Sequence, residues 1–188
     1  MRRIVMFNHV TADGYFASPS GDLDFFVPDK EFDRTAAQNT QAFDTVLLGR
    51  VTYELFAAYW PHAGDDPKTS PEDRIIARWL NETTRIVFSR SLPAASWEGT
   101  RLLRQLDPRE IETMKREPGK DMIVFGSGSI VRQLADRGLI DEYQLCVNPV
   151  ILGDGKKLIE STRGAKLELL ESRTYRSGNV FMRYAPRA

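Results

Sequence analysis

Cysteine, histidine and net charge are all scarce in this sequence. One of its 188 residues is cysteine, Cys146, and two are histidine. A lone cysteine excludes a framework of disulfides within the chain, which favours the cytoplasm, where thiols stay reduced. His9 and His62 have no neighbours at the spacing of metal ligands, so we expect no metal site. Lys plus Arg and Asp plus Glu both number 26, and without a basic excess we expect no nucleic acid partner.

Long apolar runs are missing as well. No segment approaches the ~20 consecutive apolar residues that a membrane-spanning helix needs. The basic start Arg2-Arg3 leads into a short apolar run, which His9 and Asp13 interrupt too early for a signal peptide. Hydrophobic residues make up 41% of the chain, and its length suits one domain, 1–188, with a full core. We therefore expect a cytoplasmic protein with no membrane partner.

Strand and helix patterns alternate along the chain. Apolar runs predict strands at 3–10, 46–48, 85–89, 100–103, 122–125 and 142–150. Helical patterns lie between them, at 29–43, after Gly49, from Pro71, from Asp107 and at 130–137. Two late strands, at 166–171 and 179–184, are expected to pair antiparallel. The alternation predicts one α/β domain with a mainly parallel sheet and antiparallel strands at its C-terminal edge.

The segment around Gly49 is the most informative in the chain. A buried strand ends at Gly49, and a helical pattern begins at once. Free backbone N–H groups at a helix start attract anions, and here Arg50 adds a cation and Thr52 a hydroxyl. The arrangement suits a phosphate. A tight turn at Gly49 and a solvated charge at Arg50 would explain the same residues.

Two further polar segments follow strand ends, Ser89-Arg90 and Gly126-Ser127-Gly128-Ser129. The carboxyl ends of parallel strands share one edge of a sheet, so we expect all three segments to lie close together. Glycines let a pyrophosphate approach the backbone, and Ser129 can cap the helix behind it. The three segments together contain two arginines, Arg50 and Arg90, and two hydroxyl side chains, Thr52 and Ser89. Such a set suits the additional ribose phosphate of NADPH, so we expect NADPH in preference to NADH.

Five sequence blocks, in order across nearly the whole chain, resemble a known family. They are 13–17 (DGYFA), 48–54 (LGRVTYE), 87–92 (VFSRSL), 125–128 (FGSG) and 139–143 (LIDEY), the last running on to 149–153 (PVILG). The blocks are similar to the reductase domain of bacterial riboflavin biosynthesis, the RibD C-terminal domain, and above all to its stand-alone members. This family lies in the dihydrofolate-reductase-like superfamily. The resemblance implies a three-layer α-β-α fold, NADPH binding, hydride transfer and a homodimer.

Departures from that family bear on the substrate. Phe125 stands where the riboflavin-pathway reductases usually carry a glutamate near the substrate. We also expect no deaminase domain with its zinc ligands. An apolar ring at position 125 leaves a sugar hydroxyl without a partner, so we expect weak activity on the riboflavin intermediate and a flatter, more apolar substrate.

The resemblance also indicates the residues that meet the substrate. The loop after the first strand closes over the nicotinamide and the substrate in this family. Asp13 in that loop is therefore the expected catalytic residue and polar anchor, binding a substrate N–H or relaying a proton. Asp13 can instead order the turn with Gly14. Independently of the resemblance, Tyr53, Phe56, Tyr59 and Trp60 form an aromatic cluster along the helix after Gly49. Most of these rings are expected in the core, and Tyr59 and Trp60 are the candidates for the substrate pocket.

Two functions remain open on the sequence. The leading one is an NADPH-dependent reductase that transfers hydride to a small heterocyclic or carbonyl substrate. It would be related to the 5-amino-6-(5-phosphoribosylamino)uracil reductase of riboflavin biosynthesis and to dihydrofolate reductase. The other is a nucleotide-binding protein without catalysis, acting as a sensor or scaffold, because the acids around the expected site form no distinctive set.

Overall fold

An eight-stranded sheet runs through the computed structural model, which describes residues 1–159 and 164–187. Its strands are β1 (Ile4–Thr11), β3 (Phe43–Gly49), β4 (Thr84–Phe88), β5 (Thr100–Leu103), β6 (Asp121–Phe125), β7 (Glu142–Asn148), β9 (Leu167–Thr174) and β10 (Val180–Pro186). The strand order is β5-β4-β3-β6-β1-β7-β10-β9. The first six strands in that order are parallel, and β10 pairs antiparallel with both of its neighbours. A separate small sheet pairs β2 (Tyr15–Ala17) with β8 (Lys156–Lys157).

Five helices cover the two faces of the large sheet in the part of the chain that the structure describes. They are α1 (Lys30–Asn39), α2 (Arg50–Ala63), α3 (Pro71–Glu82), α4 (Pro108–Arg116) and α5 (Gly128–Ala135). Alternate residues of a strand face opposite sides, so the central strands of the sheet contribute to two cores. One core joins Met6, Leu47 and Val124 to residues of α4 and α5, and the other joins Val46, Leu48 and Ile123 to residues of α2 and α3. The three-layer α-β-α fold with antiparallel C-terminal strands is confirmed.

Local signals placed most element boundaries to within a few residues. Asp29 caps α1 by accepting the N–H groups of Glu31 and Phe32, as predicted. The helix expected to run to Phe43 ends at Asn39, because a 3-10 turn over 40–42 redirects the chain into β3. The loop expected after β1 contains a short strand, β2.

Cys146 lies on β7 and is fully buried, as a packing residue would be. Burial raises the pKa of its thiol to about 12, so the thiol is protonated at neutral pH.

No helix within 1–159 and 164–187 is long and apolar enough to cross a membrane.

Several buried charges at the amino ends of the parallel strands, here called the amino edge, have charged partners. Arg2 forms an ion pair with Asp44, and its guanidinium also donates to the hydroxyl of Thr45 at 2.6 Å. The ammonium of Lys115 lies 2.6 Å from Asp141, whose carboxylate also accepts the N–H of Ile4. These contacts hold the starts of β1 and β3 and the end of α4 together.

Glu142 is the most deeply buried carboxylate of the amino edge, at 2% exposure. It accepts hydrogen bonds from Arg183 and Gln144, both at 2.7 Å, and it also pairs with Arg3. Burial alone would raise its pKa. The hydrogen bonds from Arg183 and Gln144, with the charges of Arg183 and Arg3, outweigh burial and lower the pKa below its ordinary value. The carboxylate therefore ties β10 and β1 to β7.

Candidate functional site

A cavity of about 670 Å³ opens at the carboxyl ends of β1, β3 and β6. We call this side of the sheet the carboxyl edge. The cavity has two chemically different walls. The glycine wall consists of Gly49, Arg50, Val51, Thr52, Gly126, Ser127, Gly128 and Ser129. The aromatic wall consists of Phe7, His9, Phe26, Phe32, Phe56, Trp60, Trp79 and Phe125.

Ser127 joins the two loops of the glycine wall. Its hydroxyl oxygen accepts the N–H of Gly49 at 2.8 Å and lies 2.6 Å from the hydroxyl of Thr52. A Cβ at Gly49 would lie 2.7 Å from that same oxygen, so the close approach requires glycine. The first turns of α2 and α5 are thereby held side by side.

Neither of these helix starts has a side-chain cap. Gly49 precedes α2 and Ser127 precedes α5, and neither helix start receives a side-chain cap hydrogen bond. Backbone N–H groups in the first turn of a helix have no intrahelical acceptor, and the helix dipole gives them a partial positive charge. Two such starts side by side have the electrostatic character that suits an anion. Ser129, predicted as a cap, lies inside α5 instead.

The turn from β6 into α5 is conformationally unusual. Gly126 has φ 49° and Ser127 has φ 53°, and Ser127 is the one non-glycine residue with positive φ in 1–159 and 164–187. The N–H of Gly126 donates to the side-chain oxygen of Asn8 at 3.0 Å. Left-handed backbone at a serine costs free energy, so the contacts of Ser127 and Asn8 must hold it.

The charged residues predicted for the cofactor lie at the same edge. Arg50 is 44% exposed at the cavity and forms an ion pair with Glu54 at 2.8 Å. Gly49 is in register with Phe88, so Ser89 and Arg90 leave the sheet one strand away from Arg50.

Ser89 and Arg90 do not line the cavity. Ser89 is buried, and its hydroxyl oxygen accepts the N–H groups of Ser91 and Leu92. Arg90 is exposed. Their predicted contact with an additional phosphate stays a prediction.

The structure separates the three residues predicted to meet the substrate. Trp60 lines the cavity. Tyr59 is 48% exposed and packs against Trp60 at 5.0 Å between ring centroids, but it lies outside the lining.

Asp13 also lies outside the cavity lining. Its carboxylate accepts the hydroxyl of Thr11 at 2.6 Å and the N–H groups of Gly153 at 2.7 Å and Leu152 at 3.3 Å. These hydrogen bonds, led by that from Thr11, lower the pKa of the carboxyl. The contacts favour a turn-ordering role, and the catalytic role of Asp13 stays a prediction.

Several polar residues of the cavity were missed in the sequence, and three of them bear on its chemistry. Asn8 and His9 lie at the carboxyl end of β1, and Asp33 reaches the cavity from α1. The rule that identified Gly49 and Gly126, polar residues at the carboxyl ends of parallel strands, applies equally to Asn8 and His9. Asp33 carried no local signal, because it sits in a polar stretch of an ordinary helix.

Asp33 is the carboxylate that the cavity lining offers. Partial burial raises its pKa, and the nearby carboxylates Asp73, Asp29 and Glu72 raise it further. A carboxyl of raised pKa beside an apolar cavity is a candidate to exchange a proton with a ligand. Within the described ranges, no three His, Cys, Asp or Glu side chains lie together as a metal site requires.

Known proteins are similar to this chain in sequence. The model of the RibD C-terminal domain family matches residues 2–181. The uncharacterized protein YyaP of Bacillus subtilis (strain 168) is 30% identical over 184 residues, which are 97% of this chain and 94% of that one.

Solved structures agree on the architecture. RibD of Acinetobacter baumannii superposes with a TM-score of 0.69 at 15% identity, over 100% of this chain and 58% of that one. A dihydrofolate reductase from Enterococcus faecalis, solved with NADP(H), superposes with a TM-score of 0.65 at 12% identity, over 99% and 97% of the two chains. At these identities the likeness establishes a shared fold. The resemblance of the five sequence blocks is thus confirmed, and this chain belongs to the RibD C-terminal domain family.

Proposed function

We propose that the protein is an NADPH-dependent reductase that transfers hydride to a small heterocyclic or carbonyl compound. One observation carries the proposal. Two helix starts without side-chain caps are joined through Ser127 and open onto a largely aromatic cavity. A polar wall for a charged cofactor thereby faces an apolar wall for a planar substrate. Membership of a family named for a riboflavin-pathway reductase domain supports a reductase-type function.

The glycine wall fits a dinucleotide cofactor. The N–H groups at the starts of α2 and α5 suit a pyrophosphate, which is anionic and accepts several hydrogen bonds. Arg50 lies beside them, and its planar guanidinium suits a phosphate in two-point contact. The additional ribose phosphate of NADPH would lie toward Arg50 and Arg90. When bound, NADPH supplies the hydride.

The aromatic wall would hold the substrate and exclude water. Phe125 packs with Phe7, Phe56 and Trp79, at 5.6 to 6.4 Å between ring centroids. These four rings stack well with a planar ring, and the Phe125 side chain offers no partner to a sugar hydroxyl. This supports a flat, weakly polar substrate in place of the ribosylated intermediate of riboflavin synthesis.

Calorimetry with NADPH and NADH tests the cofactor. We expect NADPH to bind more tightly, because the additional phosphate meets fixed positive charge. Equal affinity for the two cofactors would remove the support for a phosphate contact at Arg50.

Turnover distinguishes the reductase from a nucleotide-binding sensor or scaffold. We expect oxidation of NADPH by at least one member of a panel of pterins, ribosylaminopyrimidines, quinones and carbonyl compounds. Tight NADPH binding without turnover across the panel would favour the binding protein. With any compound that the protein reduces, comparing the turnover of Asp33→Asn with that of Asp13→Asn shows which carboxyl takes part in the reaction.

A further inference from the structure

His9 is the histidine of the aromatic wall, and other rings enclose it. Its ring stacks on Phe26 with centroids 4.3 Å apart and planes 27° apart. Phe7 and Phe32 pack edge-on, at 5.4 and 5.3 Å between centroids. One ring face is covered by Phe26, so the imidazole offers its edge, with the two nitrogens, for polar contacts.

Asn148 determines which nitrogen of His9 carries the proton. The side-chain oxygen of Asn148 accepts the N–H of Val27 at 2.9 Å, and this fixes the orientation of the amide. The amide nitrogen therefore points the other way, toward Nδ1 of His9 at 3.3 Å and toward the carbonyl oxygens of Val10 and Cys146. An amide NH₂ group is only a donor, so a hydrogen on Nδ1 would face that donor, and the contact favours Nδ1 as an acceptor. A neutral imidazole that accepts at Nδ1 carries its hydrogen on Nε2.

Nε2 is open to a ligand. His9 lines the cavity, and Nε2 has no hydrogen bond partner among the residues that the structure describes. Nε2 is also not completely buried. In those residues, the one completely buried side-chain polar atom without a hydrogen-bond partner is Oδ1 of Asn179. The Nε2–H group of His9 is thus an N–H donor among the aromatic rings of the cavity.

We propose that His9 determines substrate specificity by donating a hydrogen bond from neutral Nε2–H to an acceptor on a planar, uncharged ring. This rests on the proposed function, because it assigns the substrate class to the same cavity. The acceptor is a carbonyl oxygen or an unprotonated ring nitrogen in the plane of the ring. A ring that presents an N–H group at that point would leave two donors facing each other, and the site would reject it.

Burial supports the neutral state. It lowers the pKa of His9 to about 4, so the imidazole stays uncharged at neutral pH. A neutral donor binds neutral acceptors without the desolvation penalty of burying a charge. His9 is then a poor proton source at pH 7, and the proton of the reduced product would come from another group or from water.

The tautomer is measurable directly, because the protein has two histidines. Long-range ¹H–¹⁵N NMR spectra at pH 7.5 would show two imidazoles, and the spectrum of His62→Phe would assign them. We expect the pattern of a neutral ring protonated at Nε2 for His9. A protonated ring, or a neutral ring protonated at Nδ1, would overturn the proposal.

Two probe compounds test the hydrogen bond. Isoquinoline and naphthalene have nearly the same shape, but isoquinoline has a ring nitrogen that accepts. We expect wild-type protein to bind isoquinoline more tightly, and His9→Phe to weaken isoquinoline about tenfold while leaving naphthalene within about twofold. His62→Phe, at an exposed site, is the matched control and should change neither probe.

Equal loss of both probes in His9→Phe would mean that the ring only fills space, and no loss would mean that the acceptor lies elsewhere. Either result overturns the role of His9. Neither measurement involves NADPH, so the proposed reductase can fail while the hydrogen bond stands, and the reverse also holds.

Discussion

The amino and carboxyl edges of the sheet differ in whether their polar groups have partners within the protein. At the amino edge, buried Arg2, Lys115 and Glu142 each have an oppositely charged partner. At the carboxyl edge, the starts of α2 and α5 lack side-chain caps and Nε2 of His9 faces a cavity. A paired buried group stabilises the fold, whereas a polar group left open stays ready for a ligand. Stability and binding should therefore respond to substitutions at different edges.

The largest expected effect is on stability, at the amino edge. Glu142→Gln removes the charge that Arg183 and Arg3 share and should lower the free energy of unfolding by about 3 kcal/mol. This is near the lower end for breaking a buried ion pair, because both arginines still reach water. Chemical denaturation at pH 7 measures the effect, and NADPH affinity should stay unchanged.

The same variant has a defined pH dependence. The pKa of Glu142 lies below its ordinary value of 4.5 in the folded protein, so its contribution is present above that pH and lost as pH falls through the lowered pKa. The stability difference from wild type should shrink below about pH 4.5. Glu82→Gln, which alters an exposed pair with Arg78, is the control and should cost under ~0.5 kcal/mol. A constant difference down to pH 3 would contradict this account.

A substitution at the carboxyl edge should change NADPH affinity and leave stability almost unchanged. Arg50→Ala should weaken NADPH by roughly 1–3 kcal/mol, the scale of a charge-assisted hydrogen bond, and NADH by less. Its stability should hardly change, because the pair with Glu54 is exposed. Arg78→Ala breaks the same kind of helical pair with Glu82 away from the cavity and serves as the calorimetric control. If both variants bind NADPH equally, Arg50 does not contact it.

Ser127 offers a finer test, since it contributes to both properties. Ser127→Gly loses the contacts with Gly49 and Thr52 but relieves a left-handed backbone, so stability should change by under ~1 kcal/mol. Ser127→Ala loses the same contacts and keeps the strain, so it should be the less stable of the two. Both should bind NADPH more weakly than wild type. Unchanged binding in both variants would show that the hydroxyl does not position the two helix starts.

A third edge of the sheet, at β9, belongs to neither pattern. Every residue of β9 is exposed, and Leu169 and Leu170 are each about half exposed. An open apolar edge strand tends to pair with another chain, and we expect a homodimer. Light scattering should give twice 21.4 kDa for wild type, and Leu169→Lys should shift the mass toward the monomer with no change in NADPH affinity. A wild-type monomer at micromolar concentration would contradict this prediction.

The two walls of the cavity differ in how well the sequence foretold them. The glycine wall was readable, because strand, glycine and helix follow one another around Gly49 and Gly126 and the chemistry is local. The aromatic wall draws Phe7, Phe26 and Phe125 from segments far apart in the chain, and no local pattern brings them together. Asp13 was expected in the cavity because, in the family, the loop after the first strand closes over the nicotinamide and the substrate. Its hydrogen bonds to Leu152 and Gly153 depend on a distant turn that sequence spacing does not reveal.

The position of β6 has a consequence for how the chain folds during synthesis. β6 lies between β1 and β3, although it follows both in the sequence. Until β6 has left the ribosome, no strand is available to pair with both β1 and β3. Before that point, β3, β4 and β5 can form at most a separate fragment. Pairing at such sequence separation slows folding. Nascent chains that end before Asp121 should therefore stay open to proteases, and resistance should appear only after β6 has emerged.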